Sequence, residues 1–130
     1  MQLNHLNLWL KADGEGWTAG PRPGSSMPDA PLAGRDGKRT YLTEAFIEAV
    51  TRFTVLAFAN GAALDVPPDV GVISIGGDGF SDRAGLLGAR YDAAPGSAYL
   101  LRPDGYVAAR FRHPTRAGIE AALARASGLS

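Results

Sequence analysis

The sequence predicts an α/β fold in which a central mixed sheet is flanked by helices and preceded by an irregular N-terminal arm. A mostly apolar run at residues 53–59, with β-branched and aromatic members, is typical of a strand covered on both faces. Two later strands joined by Arg102-Pro103-Asp104-Gly105 suit a tight hairpin. Amphipathic helical patterns precede the first strand and end the chain, so helices are available to cover the sheet.

Length and composition limit the classes of protein to consider. The chain has 130 residues, the commonest size for one domain, with 45% hydrophobic and 20% charged residues. It has no apolar run of membrane-spanning length and no signal-peptide pattern at residues 1–10, so we expect a cytoplasmic protein. Thirteen basic residues balance thirteen acidic ones, which argues against nucleic-acid and membrane partners.

The N-terminal arm is predicted to be irregular. Residues 13–37 are dense in Gly, Pro, Ser and Asp, a composition that favours extended coil and turns. Before them, Leu6, Leu8 and Leu10 alternate with polar or aromatic residues as in a short strand, although Leu6 and Leu10 together with Leu3 would also suit a helix.

Regular structure is predicted from Tyr41 onward. A helix over residues 42–51 is indicated by apolar residues at steps of three and four: Leu42, Phe46, Ala49, Val50 and Phe53. The run at residues 53–59 should be a central strand, and residues 70–75 should form a second one. Ser81 is placed to cap a short helix that carries Leu86 and Leu87.

The last third of the chain predicts a hairpin and a closing helix. Residues 98–101 and 106–111 should pair antiparallel, and Thr115 should cap a helix that Gly128 ends. One face of that helix carries Ile119, Ala122, Leu123 and Ala126. A parallel strand pair, a hairpin and a final helix make up the second half of a thioredoxin-like fold. We therefore assign residues 1–38 to the arm and residues 39–130 to the thioredoxin-like domain.

The chain contains no cysteine, which excludes disulfide exchange and thiol peroxidase chemistry. A thioredoxin needs a Cys-x-x-Cys pair where its first core strand runs into a helix, because the helix end lowers the thiol pKa. The corresponding stretch here, residues 58–64, offers no sulfur or other nucleophile.

Other candidate sites are weak. The cluster Gly76-Gly77-Asp78-Gly79 lacks dinucleotide-binding spacing, because Asp82 stands where the last glycine should, and it lacks a Walker lysine, so we interpret it as a turn. His5 and His113 lack the spacing of a zinc site. Ser97 lacks the glycine that completes a nucleophile elbow.

A remnant enzyme would have to use Asp78, Asp82 or Asp92, and the sequence indicates no partner base for them. The sequence therefore predicts no catalytic, cofactor-binding or metal-binding residue in this chain.

Arginine and tryptophan residues define two surface hypotheses. Arg110 and Arg112 should share one strand face with Phe111 on the other, and the neutral charge favours a solvated face over a nucleic-acid patch. Trp9 and Trp17 suit either a contact surface or an arm packed back on its own core, and the sequence leaves both open.

Two segments resemble motifs of a known family. Gly20-Pro21-Arg22-Pro23-Gly24 with Met27-Pro28-Asp29-Ala30-Pro31-Leu32 is similar to "GPRPGxRxPDAxL", and Leu101-Arg102-Pro103-Asp104-Gly105-Tyr106-Val107-Ala108 is similar to "LVRPDGYVAW". Both motifs occur in the carboxy-terminal domain of FAD-dependent aromatic-ring monooxygenases of the phenol hydroxylase, pentachlorophenol monooxygenase and hydroxyphenylpropionate hydroxylase group. The resemblance covers roughly residues 16–128, with Ala109 in place of the family's tryptophan.

The resemblance implies a thioredoxin-like domain without redox cysteines, which lies at subunit contacts in many members. The parent enzyme would use FAD and NAD(P)H to insert oxygen into an aromatic ring, and its flavin-binding domain would be the partner of this chain, with a homodimer as a further option. Carried over by residue, Pro28 and Asp29 would shape a turn. The hairpin would be formed by Arg102, Pro103, Asp104, Gly105 and Tyr106. None of these residues is catalytic in the family.

The resulting function hypothesis is a non-catalytic structural or interaction domain of a FAD-dependent aromatic hydroxylase, with dimerisation as one candidate role. The alternative is a free-standing, redox-inactive thioredoxin-like protein that binds a small molecule or peptide. Its groove would lie near the ends of the central strands, around residues 60–64 and 95–97.

Overall fold

The structure is a computed structural model that describes residues 17–127, except residues 35, 50–51, 59–63, 77–78 and 83–84. Of Glu48 and Ala49 it describes the backbone alone. The predictions made for residues 1–16, for Asp78 and for Gly128 lie outside the described residues.

A four-stranded mixed sheet forms the centre of the fold. Its strands are β3 (Thr54–Phe58), β4 (Gly71–Ile75), β5 (Ala98–Leu101) and β6 (Val107–Phe111), in the order β4-β3-β5-β6. β3 pairs parallel with β4 and antiparallel with β5, and β5 pairs antiparallel with β6. The predicted central strand is confirmed, because β3 is interior and all five of its residues are buried. The predicted hairpin is confirmed by the antiparallel pairing of β5 with β6.

Helices cover both faces of this sheet. In β3, Leu56 belongs to a first core cluster and Val55 to a second one on the opposite face. The first core also takes Leu42 and Phe46 of α1 (Leu42–Ala49), the helix that was predicted over residues 42–51. The second takes Ile119 and Ala122 of the closing helix α3 (Arg116–Ala126). The sheet is therefore enclosed between helices, as predicted.

A bulge in β6 sets which side chains face each core. Leu100 is opposite Ala109 while Leu101 is opposite Val107, so Ala108 is an extra residue on β6. Strict alternation would put Val107 and Ala109 on one face, since side chains in a strand have a period of two. With the bulge, Val107 lies in the first core and Ala109 in the second.

The arm is more ordered than predicted. Within residues 13–37, which the composition assigned to coil, Pro31–Ala33 forms strand β1, paired antiparallel with β2 (Arg39–Tyr41). The coil prediction fails here because Ala30 and Leu32 are buried in the first core, and burial leaves their backbone groups in need of partners. The division into arm and domain remains a prediction.

The helix predicted after Ser81 is present, but its cap is different. α2 spans Leu86–Arg90, and the carboxylate of Asp82 accepts hydrogen bonds from the backbone N–H groups of Leu87 (3.1 Å) and Gly88 (2.8 Å). Ser81 instead exchanges two backbone hydrogen bonds with Ala33 of β1. The predicted Ser81 cap is therefore wrong.

The predicted Thr115 cap is confirmed, because its side chain accepts from the Gly118 N–H at 3.0 Å. No described helix has the length and apolarity that a membrane crossing requires.

Candidate functional site

The two motif segments, far apart in the sequence, meet in the structure. The backbone N–H of Met27 donates to the carbonyl of Gly105 (2.8 Å), and the N–H of Val107 donates to the carbonyl of Ser25 (2.8 Å). The N–H of Gly24 also donates to the Val107 carbonyl at 2.7 Å. Residues 24–29 and 102–107 thus form one unit, the arm–hairpin junction, in which the arm covers the outer edge of β6.

The hairpin half of the junction is held by its own polar groups. The N–H of Arg102 donates to the Tyr106 carbonyl (2.8 Å), and the N–H of Gly105 donates to the Arg102 carbonyl (2.9 Å). Gly105 has a φ of 86°, which favours glycine, and Pro103 is exposed beside it. The Asp104 carboxylate accepts from the Arg102 guanidinium at 2.7 Å and from the Tyr106 N–H at 3.3 Å.

The arm half of the junction caps a helix. The Asp29 carboxylate accepts from the backbone N–H of Thr43 (3.0 Å), from the Thr43 hydroxyl (3.0 Å) and from the N–H of Ala30 (2.9 Å). It therefore satisfies a first-turn donor of α1 from a position 14 residues away in the chain. Sequence reasoning assigned Asp29 to a turn and missed this role, since a distant cap has no local spacing signal.

Backbone carbonyls of the arm hold the region after α2. The Pro28 carbonyl accepts from the Tyr91 hydroxyl, and the Asp29 carbonyl accepts from the Arg90 guanidinium at 2.6 Å. Tyr91 is fully buried, and burial, reinforced by Tyr99 and Asp29, raises the pKa of its phenol above the ordinary range. Tyr91 therefore remains a neutral hydrogen-bond donor.

Trp17 is packed between a tyrosine and two arginines. Its ring meets Tyr99 edge to face with centroids 5.4 Å apart. The guanidinium carbons of Arg112 and Arg110 lie 3.8 Å and 4.5 Å from its ring centre. We call Trp17, Tyr99, Arg110, Arg112 and Asp92 the tryptophan–arginine cluster. Of the two hypotheses for Trp17, packing on the chain's own core describes its position; Trp9 lies outside the described residues.

The prediction of a solvated arginine face is wrong. Arg110 is 3% exposed, and its guanidinium donates to the Ala19 carbonyl at 2.7 Å as well as lying against Trp17. The shared face was predicted correctly, because both arginines contact Trp17 while Phe111 packs in the second core. Total charge could not reveal that the arm covers this face.

Asp92 is the anionic member of the cluster. Its carboxylate accepts from the Arg112 guanidinium at 3.0 Å and from the N–H groups of Thr18 (3.3 Å) and Ala19 (3.2 Å). Partial burial acts to raise the pKa of the Asp92 carboxyl, but the Thr18 and Ala19 hydrogen bonds and the charge of Arg112 lower it overall. Asp92 adopts a φ of 50°, which aspartate tolerates better than most residues.

Gly20 lets the arm cross this cluster closely. It has a φ of 82°, and a Cβ placed there would lie 2.7 Å from the Tyr91 carbonyl oxygen and 2.9 Å from the Tyr99 hydroxyl. The first glycine of the arm motif is thus required by a close approach to the core.

Sequence comparison identifies the family. The family described as "Aromatic-ring hydroxylase, C-terminal" matches residues 20–129, beginning at that same glycine. This chain belongs to the aromatic-ring hydroxylase C-terminal family. A search of curated proteins gives no match for this domain.

Solved structures agree with the family and the fold. The domain is similar to the flavin-dependent monooxygenase PieE, solved with FAD and substrate, at 28% identity and a TM-score of 0.66 over 88% of this chain and 21% of that one. It is similar to aklavinone-11 hydroxylase, solved with FAD and aklavinone, at 25% identity and a TM-score of 0.64 over 83% of this chain and 22% of that one. The chain therefore spans about a fifth of these relatives.

Thiol peroxidase from Chromobacterium violaceum is similar in fold, with a TM-score of 0.60 at 11% identity over 92% of each chain. Peroxidoxin BcpB from Mycobacterium tuberculosis is similar with a TM-score of 0.54 at 14% identity, over 85% of this chain and 99% of that one. The fold of the aromatic-ring hydroxylase C-terminal domain is thus thioredoxin-like, as the order of elements predicted.

Two of the remaining sequence candidates, Ser97 and Asp82, have structural roles in this domain. Ser97 is 1% exposed, and its hydroxyl accepts from the Ala94 N–H (3.2 Å) and from Arg112 (3.1 Å). Asp82 caps α2, and His113 is exposed. Among the described residues, no three His, Asp or Glu side chains come together as metal ligands would.

The groove predicted for the alternative function falls partly outside the described residues, at 60–63. Its other side, residues 95–97, is a tight turn closed by the hydrogen bond from the Ser97 N–H to the Ala94 carbonyl. The described part of the domain has surface grooves elsewhere, one of about 380 Å³ beside β1 and β2 and one of about 490 Å³ beside β4.

Proposed function

We propose that this chain is the carboxy-terminal structural and interaction domain of a FAD-dependent aromatic hydroxylase, and that it performs no catalytic step itself. The match to the aromatic-ring hydroxylase C-terminal family and the likeness to about a fifth of each of two enzymes solved with FAD support this proposal. The flavin chemistry, with NAD(P)H as reductant, would belong to the flavin-binding part of the parent enzyme, which is the proposed partner. A cytoplasmic location is part of the same proposal.

The main support for this proposal is that the motif side chains form hydrogen bonds within the domain. The carboxylate oxygens of Asp29 and Asp104 accept hydrogen bonds from backbone N–H groups and neighbouring side chains. Arg102 forms an ion pair with Asp104. A catalytic carboxylate would instead face a cavity with a group ready to exchange protons. The motif thus serves to attach the arm to the hairpin and to α1, and to give the domain a fixed outer surface.

Gly76 and Gly79, the described glycines of the turn after β4, offer no backbone N–H to a flavin pyrophosphate. The Gly76 N–H donates to the Phe80 carbonyl (2.7 Å) and the Gly79 N–H donates to the Gly76 carbonyl (2.9 Å), so neither amide is available to a phosphate. A Cβ on Gly79 would lie 2.2 Å from the Ser74 carbonyl oxygen, so its glycine is explained by contact with the chain's own backbone.

A cofactor titration tests the proposal. The purified chain should give a cooperative unfolding transition, should leave FAD fluorescence unchanged when titrated into it, and should not oxidise NADPH in the presence of a phenol. Stoichiometric FAD binding would refute the non-catalytic assignment. An in-frame dinucleotide-binding domain upstream in the gene would support the proposed parent, and a neighbourhood without any flavoprotein gene would count against it.

A further inference from the structure

Among the described residues, one edge of the main sheet has no further strand beside it. β4 is the terminal strand, with β3 as its neighbour on one side. The Gly71 N–H points toward β3, since it donates to the Phe53 carbonyl, and the Ser74 carbonyl points outward, since it accepts from the Phe80 N–H. Backbone groups alternate in direction along a strand, so the N–H and carbonyl of Val72 also point outward.

The open part of this edge is short and apolar. Phe80 covers the end of β4 through its bridge to Ile75, which leaves the edge around Val72 uncovered by described residues. The Val72 side chain is 40% exposed, and β4 (Gly-Val-Ile-Ser-Ile) contains none of the charges or prolines that protect edge strands. The groove of about 490 Å³ lies along it.

Opposite charges lie at the two ends of the open edge. The Arg52 side chain is beside Gly71 at the start of β4, and Asp36 lines the groove near Ser74 toward its end. Both side chains are exposed, and within the described residues neither takes part in an ion pair. If β4 pairs antiparallel with a second β4, the start of one strand meets the end of the other, so Arg52 of each copy faces Asp36 of the other.

We propose that a second copy of this chain pairs antiparallel with the β4 edge, about a two-fold axis at Val72. The two Val72 residues exchange their N–H and carbonyl groups in two hydrogen bonds, and the Arg52 and Asp36 side chains pair at both ends. This inference rests on the interaction role proposed above and specifies its surface. The contact is small, so the dimer is weak, with a Kd on the order of tens of micromolar.

Sedimentation equilibrium over a concentration series around that Kd tests the interface. Val72→Pro removes the outward N–H of Val72 and leaves in place the backbone groups of the neighbouring residues that bond to β3, a substitution that edge strands tolerate. It should raise Kd at least about tenfold while circular dichroism shows a folded chain. Ile47→Lys is the matched control, because Ile47 is the most exposed large apolar residue described, at 70%, and is not among the residues that line the groove beside β4. It should leave Kd unchanged.

A charge exchange tests the register. Asp36→Lys and Arg52→Glu should each weaken the dimer, by about two- to fivefold, and the double variant should restore it. A chain that stays monomeric, a dimer that resists Val72→Pro, or one that Ile47→Lys dissociates would each overturn the proposal. FAD titration tests the proposed function independently, so a failure of the dimer proposal does not imply a failure of the proposed function.

Discussion

Replacing Trp17 by alanine should destabilise the whole domain, although Trp17 precedes the first strand of the fold. The edge-to-face contact with Tyr99 at 5.4 Å contributes about 0.5–1.5 kcal/mol. Each guanidinium over the ring contributes about 0.5–1 kcal/mol, and Arg110, which is 3% exposed, would lose the aromatic face beside it. With the lost apolar contact, we expect a decrease of about 2–4 kcal/mol in the free energy of unfolding.

Urea denaturation followed by circular dichroism measures this decrease, which corresponds to about 8–16 °C in Tm for a domain of this size. Trp17→Phe keeps a ring at the site and should lose about half as much. In a Trp9→Phe background, the emission of Trp17 should shift to the red at the same urea concentration as the circular dichroism signal. That coincidence would show that the arm from Trp17 onward unfolds with the domain.

Two results would refute the reasoning. One is a Trp17→Ala chain whose stability lies within about 0.5 kcal/mol of the parent chain, which is the scatter of ordinary surface substitutions. The other is Trp17 emission that shifts well before the circular dichroism signal, since the arm would then detach independently and the boundary predicted near residue 38 would stand.

Asp29→Ala should lower the free energy of unfolding by about 0.5–2 kcal/mol, because α1 loses its cap, and Asp29→Asn should lose less; urea denaturation measures both. Asp92→Asn should lower Tm near neutral pH. The difference in Tm from the parent chain should disappear as the pH falls through the lowered pKa of Asp92, below its usual 3.8, because protonation of Asp92 then removes the same charge. A Tm difference that increases toward acid pH would contradict this prediction. Ile119→Ala, at a 0% exposed position of α3, should cost about 2–5 kcal/mol, whereas Ile47→Ala should cost little; equal losses would contradict the assigned core.

The elements that the sequence predicted well are those whose signals are local. The apolar run of β3 indicated an interior strand, Arg102-Pro103-Asp104-Gly105 indicated a hairpin, and Thr115 indicated a helix start. In each case the residues that determine the structure lie within a few positions of it. The cysteine-free composition likewise excluded thiol chemistry without any coordinates.

The errors arose where the partner is distant in the chain. Arg110 was expected to face solvent because the neutral total charge argued against a nucleic-acid patch, yet Ala19 and Trp17, about ninety residues earlier, cover it. The coil prediction missed β1 because composition does not show that Leu32 is buried in the first core or that Ala33, besides pairing with the nearby β2, bridges to Ser81. The Ser81 cap is the exception and a local error, because Asp82, the next residue, accepts the hydrogen bonds of that helix end instead.

The span of the arm contacts has a consequence for how this polypeptide is made. Ser25 is hydrogen-bonded to Val107, and Ala19 is hydrogen-bonded to Arg110, which lies 91 residues later. The first described segment therefore cannot form these contacts until one of the last strands has been synthesised. On a ribosome, the arm would emerge with its future partner still untranslated, and buried groups such as Leu32 would stay exposed meanwhile. Long-range contacts of this kind slow folding and leave apolar surface open to aggregation. Yield in a cell should therefore depend on elongation rate and on chaperones that hold nascent chains.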